Sequence, residues 1–483
     1  MKKLLLLLLA LVMVLSLAAC NTGKTPDDET TPDTNDQTTD PFGEDETDDP
    51  LKDDLPEKNY GKTEFNILTQ DYHAAVTDFK IDESTTNEIE QLIYNRNAYV
   101  EERYNIVFEY FTAAYDQINT MVKTTVMSDS KAAYDLISAR PTWTVLTLTE
   151  GNVGDWKELE YVDTERDWWN NIAAEDLSVN GKNYILMGDI NASYITHTHC
   201  ILFNKKLATD MSIPDLFELV SNYEWTYETM YEMVKDIWID SNDIKDLDDT
   251  YGFSAQEFSM ASALQFSMNL QTTAKTPDGF PVMEIDMTKW TDAVTDVYTL
   301  LYDTPGVYAD AGWSDHRALF SSGRALFVTS QFAHPILGTY SELTDEYAII
   351  PYPMYDDQQE GYYTFSDTAS SAVTYPINVA DPEKTGIIAE ALAAESLREV
   401  TPMIYEVALK YRYSTSEEQA HMVDLIRAGV RCEFGYVFIS NSTSPRLGSV
   451  VTQQKQNNYT TYYQNYYRTW DTKLEEFITF YLD

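Results

Sequence analysis

Cysteine is scarce: Cys20, Cys200 and Cys432 are the only three in 483 residues. That number excludes a disulfide framework. Cys200 and Cys432 could pair in an oxidising compartment, but two separately buried thiols are the expected state. Basic residues are scarce as well, 33 Lys and Arg against 79 Asp and Glu, for a formal charge of −46. A phosphate backbone repels such a surface, so nucleic acid is excluded as a partner, as is flat association with anionic lipid. Three motifs are missing: the G-x-x-x-x-G-K-S/T phosphate loop, the G-x-S-x-G nucleophile elbow and the H-E-x-x-H zinc motif. The chain therefore supplies no ATP chemistry of its own and neither of those hydrolytic devices.

What is present begins with Lys2 and Lys3, an apolar run from Leu4 to Leu17, and then Leu17-Ala18-Ala19-Cys20. A basic start, a short apolar core and small residues before a cleavage point make a secretory signal. The run is shorter than the roughly 20 residues of a membrane-spanning helix. Leu17-Ala18-Ala19-Cys20 resembles the lipobox of bacterial lipoproteins. That implies a signal peptide over 1–19, a lipidated Cys20, and a chain held to the extracytoplasmic face of the cell membrane by its anchor alone. Residues 20–58 read as a linker. The segment, which includes TPDDETTPDTNDQTTDPFGEDETDDPLKDD, has many acids, with only Phe42, Leu51 and Leu55 as sizeable apolar groups. It buries too little surface to offset ordering entropy, and as a flexible coil it spans about 35 Å.

The remaining chain, about 425 residues, is too long for one core and suits two lobes. Lys62–Thr69, Ile106–Phe111 and Tyr134–Ala139 read as strands. Between them lie a helix opened by a capping box at Thr85 and Glu88, with Ile89, Leu92, Ile93, Val100 and Tyr104 on one side, and a second helix over Gln117–Met127. This alternation predicts an α/β fold with a mostly parallel sheet. Ligands in such sheets sit beyond the carboxyl ends of the strands, which directs attention to Gln70-Asp71-Tyr72 and to Arg140-Pro141-Thr142-Trp143. Further strands are expected at Tyr184–Met187, His199–Phe203, Ala325–Thr329, Tyr347–Pro351 and Ala372–Ile377. Helices are expected over Tyr223–Trp238 and Thr385–Leu397, the latter ended by Pro402. Tyr459, Tyr463, Tyr466, Trp470, Leu474, Phe477 and Tyr481 recur every three or four residues, as on one amphipathic helix.

Several segments together resemble the family 1 extracellular solute-binding proteins of ABC importers, in particular sugar-binding members. They are NEIEQLIYNRNAYVEERYNIVFE, YDLISARPTW, GDINASYITHTHCILFNKKLA, EWTYETMYEMVKDI, YGFSAQ, SSGRALFVTSQF, YAIIPYPMYD and PEKTGIIAEALAAES, in that order. The resemblance implies a two-lobe, periplasmic-binding-protein-like (type II) fold with crossing hinge strands. One lobe would hold 60–196 completed by 374–400, the other 197–373 completed by 401–483. It also implies a monomer that closes on a carbohydrate, an oligosaccharide in the first instance, and docks on permease subunits of an ABC transporter.

A pyranose offers a C–H face to aromatic rings and a hydroxyl rim to fixed polar groups. The candidate ligand-binding residues with that mixture are Gln70, Asp71, Tyr72, Arg140, Trp143, Asp189, Asn191, Tyr194, Trp313, Gln331 and Phe332. Against this, Trp143, Trp313 and Phe332 can be core aromatics, and Asp71, Asp189 and Arg140 can be caps or ion-pair residues. No cofactor and no metal is expected. His197 and His199 share a strand face while Cys200 points away, and no third ligand is specified locally. The acidic run Asp240–Asp249 lacks the central glycine of a calcium loop and has Ile244 where a ligand is wanted. No enzyme is expected either. The alternatives are a receptor for a non-sugar solute and a tethered glycoside hydrolase, whose carboxylate pair cannot be picked out by counting among so many acids.

Overall fold

A computed structural model describes residues 51–128, 132–367, 369–405 and 417–482. The expected signal peptide, Cys20 and the linker up to residue 50 lie outside the described residues. The expected linker ends earlier than residue 58. Leu55 is buried, Leu51 packs against the same core, and Asp53 pairs with Arg103 at 2.5 Å. Two leucines four residues apart and a partly buried ion pair tie this stretch down.

The first sheet begins with β1 (Thr63–Gln70), β2 (Ile106–Ala113) and β3 (Leu136–Ala139). β1 pairs in parallel with both neighbours, in register Thr63 to Ile106 and Ile67 to Leu136. The helix Glu88–Tyr104 crosses from β1 to β2 and buries Ile93, Val100 and Tyr104. Its cap is Asn87 rather than Thr85: the Asn87 side chain accepts from the N–H groups of Ile89 and Glu90, while the Thr85 hydroxyl bonds the Glu90 carboxylate. Asparagine two residues closer to the helix reaches the orphan donors directly. The helix ends at Asn105 in the left-handed conformation, φ 50°.

The chain then crosses to a second sheet of β4 (His199–Asn204), β5 (Trp238–Ile239), β6 (Thr250–Gln256), β9 (Val307–Asp310), β10 (Ala325–Gln331) and β11 (Tyr347–Ile350), with a small hairpin of β7 (Thr273–Lys275) and β8 (Pro281–Met283) beside it. The strand order is β11-β4-β10-β6-β5, with β9 also on β6. β6, β9 and β10 run parallel, so their carboxyl ends, Gln256, Asp310 and Gln331, emerge along one edge. The helix expected over Tyr223–Trp238 is shorter, Tyr227–Val234: Thr226 caps it, and Trp238 joins β5 opposite Tyr251.

β12 (Thr364–Phe365) precedes the return crossing, β13 (Ala372–Thr374) pairs antiparallel with β3 to complete the first sheet, and β14 (Val430–Arg431) pairs with β12. Tyr184–Met187 makes only an isolated bridge, Leu186 to Val373. The two crossings run side by side. Thr198 bridges Ser366, the Ser366 hydroxyl donates to the Tyr194 carbonyl, and the Ser371 N–H donates to the Ser193 hydroxyl. Where the chain turns toward the first crossing, a Cβ on Gly188 would sit 2.3 Å from the Trp168 carbonyl, so only glycine fits that approach.

The helix Pro382–Glu395 is almost entirely buried. Pro402 does not end it: a wider π turn over Ser396–Val400 carries helical geometry through the proline to residue 405. Such a turn relaxes the i to i−4 ladder that a proline would break. The helix Tyr459–Leu482 buries Tyr459, Tyr462, Trp470, Leu474 and Phe477, with Tyr459 stacked on Trp290 at 5.0 Å. Cys200 and Cys432 are both buried free thiols.

Candidate functional site

The carboxyl ends of the two sheets face a common cavity of about 520 Å³. Its floor is the pair of crossing segments, which contribute His197, His199, Asp367 and Ala369. Tyr72 and Arg140 reach it from the loops after β1 and β3, and Gln256, His316, Arg317 and Gln331 from the opposite sheet.

Arg140 stands at the N-terminal end of the helix Pro141–Leu148, where proline at the first helical position fixes the turn. The Gln70 side chain accepts its backbone N–H at 3.3 Å, and its guanidinium lies over the Tyr72 ring, 4.3 Å from the centroid. Its Nε is buried and has no hydrogen-bond partner among the described residues.

Trp313 projects from the loop between β9 and the helix Asp315–Ser321, 59% exposed and lining the cavity. Its carbonyl accepts from Arg317, which also approaches His334 at 3.4 Å. This loop is braced by Asp310, whose carboxylate accepts from the N–H groups of Gly312, Asp315 and His316 and contacts His316 Nδ1 at 3.0 Å.

His199 opens β4 and is held on three sides. Its ring stacks on Phe365 at 4.6 Å and 8°, its Nε2 lies 3.2 Å from Asp367 and 3.1 Å from Gln331, and its Nδ1 is buried without a partner among the described residues. Burial alone would raise Asp367, but the bonds from His199 and the Ala369 N–H hold its carboxyl down at about 2. Burial lowers the imidazoles of His197, His316 and His334, the last to about 3, with Arg317 adding to the effect on His334. These rings are neutral at pH 7. A neutral imidazole has one donor and one acceptor nitrogen, and the protein already engages Nδ1 of His197 with Ser193, Nδ1 of His316 with Asp310, and both nitrogens of His334.

The eleven sequence candidates divide accordingly. Tyr72, Arg140, Trp313 and Gln331 line the cavity. Gln70 is buried and positions Arg140; Asp71 is exposed beside Tyr72. Trp143 is half-buried on the helix after Arg140 and packs on exposed Tyr115 at 4.8 Å. Phe332, next to Gln331, turns into the core against Tyr405. Asn191 is fully buried, its amide nitrogen donating to Asp78 and Ser138. Asp189 and Tyr194 line a separate cavity of about 380 Å³ with Asn170, Asp424 and Arg427. There, burial raises the Asp189 carboxyl to about 7 against the pull of Arg427.

Sequence reasoning passed over Phe258, His316, Arg317, His334, Asp367 and Tyr436 as cavity residues. One signal was available: the chain has only six histidines, and four of them, His197, His199, His316 and His334, line this one cavity. In the run Asp240–Asp249, the Asp249 carboxylate accepts from Trp238 Nε1 and the Ser241 N–H, so the acids brace their own turn.

No family model matches the chain, and no curated protein is found to be similar in sequence. Solved structures are similar in fold. The sugar-binding protein MalE from Xanthomonas citri superposes with a TM-score of 0.59 at 11% identity, covering 87% of this chain and 100% of that one. UspC from M. tuberculosis gives 0.55 at 11%, covering 85% and 100%. An ABC substrate-binding protein from Listeria monocytogenes, solved in complex with cycloalternan, gives 0.54 at 12%, covering 84% and 99%. With its two sheets, paired crossings and cavity at the strand ends, the chain has the two-lobed fold of these solute-binding proteins.

Proposed function

We propose that this protein is an extracytoplasmic receptor that captures a carbohydrate between its lobes and delivers it to the permease of an ABC importer. The observation that carries this reading is the cavity itself. An exposed indole, Trp313, stands in one lining with the imidazoles of His197, His199, His316 and His334 and the amides of Gln256 and Gln331. That is the combination a pyranose needs, an aromatic platform and a ring of fixed polar partners. The sugar-binding proteins of the same fold support the ligand class. The receptor acts as a monomer, releases its ligand unchanged, and is held at the membrane by lipid on Cys20.

The hydrolase alternative is disfavoured by the lining. Glycoside hydrolysis uses two carboxyl groups flanking the bond, and Asp367 is the single carboxylate lining the cavity among the described residues. A non-sugar solute remains the competing ligand class, and the polar, aromatic lining favours the sugar. Thermal-shift screening against mono- and oligosaccharides tests the reading: a ligand at 100 times its Kd should stabilise by about 2.7 kcal/mol. Stabilisation only by non-saccharides, or release of cleaved glycoside, overturns it. Cys20→Ala should move the folded protein from the membrane fraction into the medium; an exported variant that stays membrane-bound refutes the anchor.

A further inference from the structure

The charge inside the cavity runs opposite to the charge of the chain. Acids outnumber basic residues by 79 to 33 overall, yet the lining carries Arg140 and Arg317 against Asp367 alone, with no lysine or glutamate. Asp367 is engaged by His199 and the Ala369 N–H. Among the described residues, no carboxylate lies within ion-pairing distance of either guanidinium. Arg140 rests on the Tyr72 ring with its Nε unsatisfied, and Arg317 is held by the Trp313 carbonyl and the His334 ring. The nearby Asp310 carboxylate is committed to His316 and three backbone N–H groups.

Both guanidinium groups are part-exposed at the cavity and lack a carboxylate partner among the described residues. A receptor for a neutral sugar has no need to hold two, because amides and hydroxyls serve its rim. The two come from opposite sides of the cavity: Arg140 follows β3 of the first sheet, and Arg317 lies on the helix between β9 and β10 of the second. Each presents a planar fork that matches an oxyanion bidentately.

Building on the carbohydrate-receptor reading, we propose that the ligand is an acidic saccharide, whose oxyanion is gripped from the two lobes by Arg140 and Arg317 while Trp313 stacks on a sugar ring. One anion held from both sides also couples binding to closure, because both contacts form only when the lobes approach. The oxyanion is a uronate carboxylate or a sugar phosphate; the chemistry of the two arginines is common to both.

The test is calorimetric titration of the full chain with oligogalacturonides, sugar phosphates and neutral oligosaccharides of equal length, at low and high salt. A charge-assisted hydrogen bond contributes about 1.5–3 kcal/mol, so one acidic series should bind roughly ten- to a hundredfold more tightly than its neutral counterpart. That ratio should shrink at high salt. Arg140→Gln and Arg317→Gln should each collapse the ratio, and Arg317→Lys should restore part of it. Melting temperatures taken alongside show that the variants fold. Equal affinity for acidic and neutral saccharides overturns the acidic-ligand proposal and leaves the carbohydrate reading standing. Binding of non-saccharide organic anions, with no saccharide of either kind bound, overturns the reading on which the proposal rests.

Discussion

Two clusters of polar side chains flank the first crossing segment, and they differ in where they lie: one is sealed in the core, the other lines the cavity. In one, Asp78 accepts from the Asn191 amide, the Ser193 N–H and the Ser193 hydroxyl. Beside it, Arg96 spreads its donors over the carbonyls of Asp78 and Ile190, the Ser396 hydroxyl and the Asn97 side chain. In the other, around His199, Arg140 and Arg317, the groups line the cavity, with the Arg140 Nε and the His199 Nδ1 buried and without a partner among the described residues. Asn191 and Arg140 are both polar residues in loops at the end of the first lobe, and sequence gives them equal standing as ligand contacts. Placement separates them: the Asn191 amide nitrogen is spent on Asp78 and Ser138 inside the core, with its Oδ1 left without a partner among the described residues, whereas Arg140 lines the cavity with its Nε likewise unpartnered.

The sharpest way to break this contrast is Arg96→Met. It strands the Asp78 and Ile190 carbonyls and the Asn97 amide oxygen, each costing about 1–3 kcal/mol when left unpaired in the interior. Denaturant unfolding should report a loss of at least about 3 kcal/mol. A loss under about 1 kcal/mol would mean that the closed network does not hold the first lobe together.

pH separates the same regions. Burial raises Asp78 to about 6 and Asp189 to about 7 from 3.8, and Glu390 to about 7 from 4.5, although Glu390 accepts from the indoles of Trp168 and Trp169. The folded state therefore holds extra protons between about pH 4 and 7. Stability from these groups is full below pH 4 and lost as pH rises through 6 to 7, with a slope of about 1.4 kcal/mol per pH unit for each titrating proton. Asp367, held at about 2 in the cavity, behaves oppositely: its contribution is present above pH 4 and lost as pH falls toward 2. Melting curves should show higher stability at pH 5.5 than at pH 8. Asp189→Asn and Glu390→Gln should flatten that difference, and Asp367→Asn should leave it in place. A flat profile in the parent protein contradicts the assignment of these buried acids.

The two candidate platforms give the smaller effects. Trp313→Ala should weaken saccharide binding by about 1–3 kcal/mol, the range for an aromatic stack, while stability moves by no more than about 0.5 kcal/mol. Trp143→Ala should act more on folding: it loses the ring contact with Tyr115, about 0.5–1.5 kcal/mol, and shifts affinity less than Trp313→Ala does. The reverse order of affinity losses, read by titration, would place the ligand over the first lobe's rim instead.

The first sheet was legible because its signal is local, whereas β6 and β9 of the second went unread. Phe65, Ile67 and Leu68 on β1 and Leu136 and Ile137 on β3 are buried β-formers bounded by polar turns. Helix ends were less so, since Asn87 and Thr85 are both competent caps and only geometry chooses between them. The site was legible where it follows a strand end, at Tyr72, Arg140 and Gln331. It was illegible elsewhere for two reasons. β10 ends at Gln331 and the backbone turns helical at Phe332, so Gln331 enters the cavity while Phe332 enters the core. The second lobe's contribution is assembled from segments far apart in the chain, such as Gln256, Arg317 and Tyr436, which no local pattern links.

Small-angle scattering with and without saturating saccharide tests the central claim most directly. If the cavity is an inter-lobe binding site, the radius of gyration should fall on addition of a ligand that raises the melting temperature, and Trp313→Ala should require more ligand to reach the same compact state. A saccharide that binds at saturation and leaves the scattering profile unchanged would contradict the account of a receptor that closes on its ligand.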